Sequence, residues 1–407
     1  MTFSADLYST TAVRGGVSSD PATGAVLTPI YQSTTYQQEA VGVHKGFTYS
    51  RAANPTVSAL ESALGALEDT PPAVCFATGM AAISALFLAL LKSGDHVIVS
   101  DVVYGGTVRL FRQVLSNFDV DVSFVDTSSP DAVRNALRPD TRLAFIETPA
   151  NPTLKLTDIA GIAEITHDAG IKLVVDNTFL TPVLQRPLDL GADISLLSTT
   201  KYIEGHNSTV GGSISSRDEK LLDRIRLVRK TLGSIQSPQE AWLTLRGLKT
   251  LPLRLQQHCA SAQKVAEWLE RHPKIARVHY PGLASFAQSE LAQQQQALPG
   301  GIIAFEVKGG ADAGIRLMNS VRLCILAENL GAAETLITHP VSMTHADVPI
   351  EIRERTGISD GLVRLSVGLE NPADIITDLE SALEKIDFAT TASSDAIDQC
   401  VEVGGAA

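Results

Sequence analysis

The chain has 407 residues, 44% hydrophobic and 19% charged, enough for a sizeable buried core and more than one ordinary domain. Its formal net charge of −12 argues against non-specific nucleic-acid binding. Four cysteines without a CxxC pair, and histidines without zinc-ligand spacing, exclude a disulfide framework and point to free thiols in a reducing, cytoplasmic setting with no metal site. The first residues lack the pattern of a secretion signal, and the longest apolar run, 80–91, is too short to span a bilayer.

Residues 1–55, rich in Thr, Ser, Gly and Tyr, read as an extended arm. Over 56–68, Val57, Leu60, Leu64 and Leu67 recur at threes and fours and predict a helix. Short apolar runs at 96–99, 122–125, 143–146, 173–175 and 194–197 alternate with helix-like segments at 81–91, 108–115, 131–137 and 158–169. This alternation predicts an α/β fold with a mostly parallel, doubly wound central sheet covered by helices. Residues 221–248 read as two helices broken near Gly233 and Pro238, and 255–269 as a long amphipathic helix. Beyond Pro273, strands at 302–307, 323–327 and 363–367 with helices at 311–318 and 372–386 predict a smaller α+β C-terminal domain. The expected organisation is an arm over 1–55, a large domain over 56–255, a small domain over 256–388 and a disordered tail over 389–407.

Chemistry concentrates where apolar strands end. Asp176 closes the run Leu173-Val174-Val175, and Lys201 follows Ser198-Thr199-Thr200 after the next run. That pairing offers an amine able to form a Schiff base and a carboxylate able to hold a pyridinium nitrogen, with hydroxyls for a phosphate. The turn Ala77-Thr78-Gly79-Met80 enters an apolar helix, whose free N–H groups suit an anion. Tyr104 opens another strand-to-helix turn, and Arg364 lies within a short apolar strand, where a substrate carboxylate is a suitable bidentate partner. Each feature alone has a structural counterpart: a turn aspartate, a loop lysine, a helix start, a core tyrosine, a salt-bridged arginine. His206, His339 and His345 lie near these segments and read as hydrogen-bonded structural histidines.

The order of the motifs goes further. Tyr49-Ser50-Arg51-x-x-Asn54-Pro55-Thr56, Thr78-Gly79-Met80-Ala81-Ala82, Tyr104-Gly105-Gly106-Thr107, Glu147-Thr148-Pro149-x-Asn151-Pro152, Asp176-Asn177-Thr178, Ser198-x-Thr200-Lys201-Tyr202-x-x-Gly205-His206, Leu245-Arg246-Gly247-Leu248 and Val363-Arg364-Leu365-Ser366-Val367 occur in succession. With them the chain closely resembles the Cys/Met-metabolism enzymes that use pyridoxal 5′-phosphate (PLP), from about residue 10 to 387. The resemblance implies fold type I, a homotetramer of two active dimers, and an arm reaching the neighbouring subunit's site. It implies Lys201 as the Schiff-base lysine, Asp176 as the pyridinium partner and Tyr104 as a ring-stacking and proton-transferring residue. Gly79, Met80, Ser198 and Thr200 would hold the phosphate, with Tyr49 and Arg51 reaching the phosphate of the neighbouring subunit. Arg364 would hold the substrate carboxylate, with Asn151 near that carboxylate and the cofactor 3-oxygen.

The resemblance also implies elimination or replacement at Cγ of an amino acid, of the cystathionine γ-lyase or γ-synthase kind. Glu328 stands where cystathionine-handling relatives often carry a Glu, and Gly106 where methionine γ-lyases usually carry a Cys. Asn329 replaces the usual Ser, Ser208 the usual acidic residue, and Ala332-Ala333 a small Gly-containing step. These departures surround the substrate and keep open a leaving group other than cysteine, such as an O-linked one, as well as methionine γ-lyase and cystathionine β-lyase activity.

Overall fold

Two sheets meet through a shared long helix. The larger contains β1 (Val74–Phe76), β2 (His96–Ser100), β3 (Asp121–Val125), β4 (Thr141–Glu147), β5 (Lys172–Asp176), β6 (Ile194–Leu197) and β7 (Gly212–Ser215), in the order β1-β7-β6-β5-β4-β2-β3. The smaller contains β8 (Ile275–His279), β9 (Ile302–Val307), β10 (Ile325–Leu326), β11 (Leu336–Thr338) and β12 (Leu362–Ser366), in the order β10-β11-β12-β9-β8. The computed structural model describes residues 5–344 and 350–386; the tail expected over 389–407 and His345 lie outside the described residues.

Strands β2 to β6 pair in parallel, as the strand–helix alternation predicts. Their side chains feed two different cores. Val97, Val99, Leu143, Phe145 and Val174 pack on one face, and Ile98, Ala144, Ile146, Leu173 and Val175 on the other. A sheet covered on both faces needs apolar residues at successive positions, which is why these runs stand out in the sequence. The sheet is nevertheless mixed: β7 runs antiparallel to both β6 and β1.

Local signals set most helix ends. The helix Pro55–Glu68 starts with Pro55 and an Asn54 side chain that accepts from Thr56 N–H. The expected break near Gly233 and Pro238 is real: Gly233 takes a φ of 74° after the helix Glu219–Leu232, and Pro238 opens the next. Three expectations need correction. The arm is not wholly extended, since Ala5–Arg14 is helical. The segment expected to be a helix over 108–115 divides into a short α-helix Gly105–Arg109, a π-helical turn Leu110–Val114 and a 3-10 turn Leu115–Phe118. The strand expected over 323–327 shrinks to Ile325–Leu326, because Asp378 takes the N–H groups of Arg322, Leu323 and Cys324 at 2.8–2.9 Å.

The boundary expected between 255 and 256 falls inside the helix Leu251–Arg271. Leu251, Leu255 and Cys259 join a core between the sheets, with Leu197 of the large one and Ile302, Ala304 and Leu362 of the small one, whereas Ala262, Val265, Ala266 and Leu269 join the core of the small sheet alone. One amphipathic helix thus serves both cores, and no break in composition marks the change.

A buried ion pair ties the arm to this scaffold. Arg229 bonds Glu61 and also donates to the Cys75 carbonyl at 2.8 Å and the Ala52 carbonyl at 3.4 Å. Glu61 in turn accepts from Cys75 N–H at 3.0 Å. Arg229→Met leaves Glu61 as an uncompensated buried charge and is expected to cost about 3–5 kcal/mol. Urea unfolding measures this; a loss below about 1 kcal/mol contradicts it.

Candidate active site

The site lies where the parallel strands end, the region in which open α/β sheets place their ligands. Glu147 ends β4 and Asp176 ends β5, and the register sets them side by side. Lys201 follows β6 by one turn, with its N–H on the Ser198 carbonyl at 3.2 Å. Arg364 enters from the middle of β12 and Asn329 from the loop between β10 and β11.

The two sheets meet at Asn329. Lys201 Nζ donates to Asn329 Oδ1 at 2.5 Å, and Arg364 Nη2 donates to the Asn329 carbonyl at 3.0 Å. Arg364 is 3% exposed. It also donates to Asn151 Oδ1 at 2.9 Å and Thr338 Oγ1 at 3.2 Å, while its Nε has no partner among the described residues. Burial pushes the guanidinium down to about 10. Burial, and then the charge of Arg364, push the Lys201 amine down to about 8.

Burial pushes both Asp176 and Glu147 above the usual carboxylate range, and the charge of Asp176 pushes Glu147 further. Asp176 Oδ1 accepts from the Thr178 N–H at 3.0 Å and hydroxyl at 2.5 Å; its Oδ2 makes no hydrogen bond among the described residues. Glu147 accepts from Tyr104 N–H at 2.8 Å and Asn151 N–H at 3.0 Å. One carboxyl therefore sets the backbone of two of the expected site residues.

A narrow cradle adjoins Lys201. Gly79 opens the helix Gly79–Leu90, capped by Thr78. A Cβ on Gly79 would lie 3.0 Å from Ser198 Oγ, and one on Gly212 2.5 Å from the Thr78 carbonyl. Ser198 Oγ makes no hydrogen bond among the described residues, whereas Thr200 Oγ1 exchanges bonds with Gly211 at 2.9 and 3.2 Å. Tyr104 and Met80 close on Gly106: a Cβ there would lie 2.5 Å from Tyr104 Cε1 and 2.7 Å from Met80 Sδ. Tyr104 is 47% exposed.

Tyr49 and Arg51 are not drawn into this group. The Arg51 guanidinium lies 5.5 Å from the Tyr49 ring centroid and donates to the Lys230 carbonyl at 2.7 Å. Glu328 is exposed, makes no hydrogen bond among the described residues, and bears on Arg364 only through its charge. Ser208, one of the departures noted in the sequence, donates to the buried Glu204 at 2.5 Å. Glu204 also accepts from the backbone N–H groups of His206 and Ser208, so one buried carboxylate holds this turn. Sequence reasoning assigned no role to Glu147, Glu204, Gly212 or Thr338. Glu147 carried a signal, an acid closing an apolar run; the others carried none.

Residues 9–384 match the family described as Cys/Met metabolism PLP-dependent enzyme. The chain belongs to this family. It is 45% identical over 377 residues to a cystathionine gamma-lyase of Bacillus subtilis (strain 168), covering 93% of this chain and 99% of that one. It is likewise 45% identical over 388 residues to an L-methionine gamma-lyase of Fusobacterium nucleatum subsp. polymorphum, covering 93% and 98%. The crystal structure of cystathionine gamma-lyase from Lactobacillus plantarum complexed with L-serine aligns with a TM-score of 0.91 at 40% identity, covering 93% and 99%. As a member of the Cys/Met metabolism family the protein is a PLP-dependent lyase acting on an amino acid. Equal identity to relatives with different substrates leaves the choice of leaving group to the residues of the site.

The depressed Lys201 amine has a thermodynamic signature. The unfolded lysine titrates near 10.5 and the folded one near 8, so the unfolded chain binds more protons between these values. Stability of the cofactor-free protein should therefore rise with pH across that window, by on the order of 3 kcal/mol from this group. Lys201→Met should remove that rise. Parallel melting curves of the two proteins from pH 7.5 to 10.5 measure it, and identical pH slopes contradict it.

Proposed function

We propose that this protein catalyses elimination or replacement at Cγ of an amino acid, with cystathionine as the leading substrate type and PLP carried on Lys201. The observation that carries the reading is the junction at Asn329, which holds the Lys201 amine and the Arg364 guanidinium on one residue. An amino acid whose carboxylate sits on Arg364 then presents its Cα to Lys201.

The donors and acceptors present fit PLP. Asp176 Oδ2, with no hydrogen bond among the described residues, can pair with the pyridine nitrogen, and the rise of Asp176 with burial is the cost that a cationic partner relieves. Ser198 Oγ, Thr200 and the N-terminus of the Gly79–Leu90 helix, with Met80, form the phosphate side. Tyr104 covers the ring and serves proton transfer toward the γ-substituent. When bound, the cofactor supplies an electron sink for charge developing at Cα. The protein supplies the rest. Arg364, whose Nε has no partner among the described residues, grips the carboxylate; Asn151 orients Arg364; Lys201, pushed down to about 8, takes and returns the Cα proton at near-neutral pH.

Two features favour cystathionine. Glu328 is exposed beside Arg364 and suits a distal ammonium. Gly106 has no room for a Cys unless both Tyr104 and Met80 move. The assembly we infer is a homotetramer of two active dimers, with Tyr49 and Arg51 serving the neighbour's phosphate. Exposed apolar residues of the arm, Val26, Ile30, Val41 and Val43, support its coverage by a second copy. Buried free thiols at Cys75, Cys259 and Cys324 suit a cytoplasmic location, and among the described residues no helix is long and apolar enough to cross a membrane.

A substrate panel with product identification tests this reading. Cystathionine should yield 2-oxobutanoate and cysteine, or an O-acyl homoserine with cysteine should yield a thioether. Turnover restricted to methionine or to O-linked substrates moves the assignment within the family; pyruvate marks β-elimination; no turnover of any γ-substituted amino acid sinks it. Arg364→Lys keeps the charge but loses the fork, and should raise KM about 10- to 100-fold. An unchanged KM places the carboxylate elsewhere.

A further inference from the structure

The bond from Lys201 to Asn329 does not end there. Asn329 Nδ2 donates to Asn207 Oδ1 at 2.6 Å, and Asn207 Nδ2 donates to Glu334 Oε2 at 2.9 Å. All three bonds run in one direction, from the buried amine outward to an exposed carboxylate. The ends of such a chain decide the middle. An ammonium can only donate and an ionised carboxylate can only accept, whereas each amide can turn either end inward. With Glu334 accepting outside, Asn207 must present its oxygen inward; Asn329 must then present its nitrogen to Asn207 and its oxygen to Lys201. Asn207 sits at a φ of 55°, a conformation that Asn tolerates far better than most residues.

We propose that Asn207 and Glu334 are positioning residues that hold the Asn329 amide with its acceptor toward the free Lys201 amine. This extends the reading of Lys201 as the cofactor-bearing lysine and rests on it. A hydroxyl at position 329 can rotate to accept or donate; an amide that size cannot share both ends with one lysine, so its orientation has to be set from outside. The device acts on Lys201 whenever its amine is free of the cofactor. Arg364 on β12 is the charged group that faces Lys201 across the junction and opposes its protonation, with Glu328 and Glu147 facing Arg364 in turn. The chain of amides offsets Arg364 by keeping an acceptor on the amine. Glu334 is exposed, so its contribution is orientation more than charge.

The test strips the full-length protein of PLP, adds PLP back across a pH series, and follows the visible band of the lysine-bound cofactor. The pH midpoint of band formation reports the Lys201 amine. Asn207→Gly removes the amide yet keeps the left-handed backbone, and should lower the midpoint by about 0.5–1 pH unit as Asn329 loses its fixed polarity. Asn207→Asp keeps an inward acceptor and should hold the midpoint at or above that of the unaltered protein. Unmoved midpoints in both variants would overturn the proposal. So would an equal fall in both, which marks disruption of the loop and not loss of polarity. Absence of any band in the unaltered protein fails the assignment of Lys201 itself, a result distinct from either.

Discussion

The junction at Asn329 is the constraint on which the site depends. It joins an amine from the end of β6 to a guanidinium from β12, two cations that repel one another in a desolvated space. Neither would settle there unaided: burial depresses both, and the lysine carries the added charge of Arg364. A neutral amide that accepts with its side chain from one and with its backbone from the other holds them together. Glu147 and Asp176 are buried nearby with raised affinities for protons, Glu147 close enough to act on Arg364 through its charge. The protein thus gathers two groups with depressed and two with raised proton affinities around the ends of β4, β5 and β6, the kind of perturbed cluster that marks a functional site.

The fold explains why these groups arrive together. Parallel strands covered on both faces end in the same plane, and the first residues past that edge are the first free to be polar. Glu147, Asp176 and Ser198 occupy such positions on adjacent strands. The helix Leu251–Arg271 then ties the small sheet to the large one, with one end in the core they share and the other in the small sheet's own, so that β12 presents Arg364 at a set distance. Precision at Lys201 is therefore a property of both sheets, and changes near position 329 act on both.

What the sequence disclosed, and what it withheld, follow the range of the interactions. The runs of β2, β4 and β5 were legible because double-faced burial makes them continuously apolar. Strands β1 and β7 were not: one has three residues, and the other reads Gly212-Ser213-Ile214-Ser215. Lys201 and Asp176 stood out by residue type at the ends of apolar runs, Arg364 as a charge inside one, and all three by the order of motifs. The links that orient them were hidden. Asn207 and Glu334 are ordinary polar residues in sequence and become neighbours only when two distant loops fold side by side. The departure at Asn329 was visible as a substitution, yet its partner at 207 was visible only in three dimensions.

The claim at the centre is that the buried, depressed amine of Lys201 is the one that holds PLP. Borohydride reduction of the holoenzyme followed by peptide mass spectrometry tests it most directly. The account predicts one reduced cofactor per chain, on the peptide carrying Ser198-Thr199-Thr200-Lys201. A cofactor fixed to any other lysine, or none fixed at all, would contradict it.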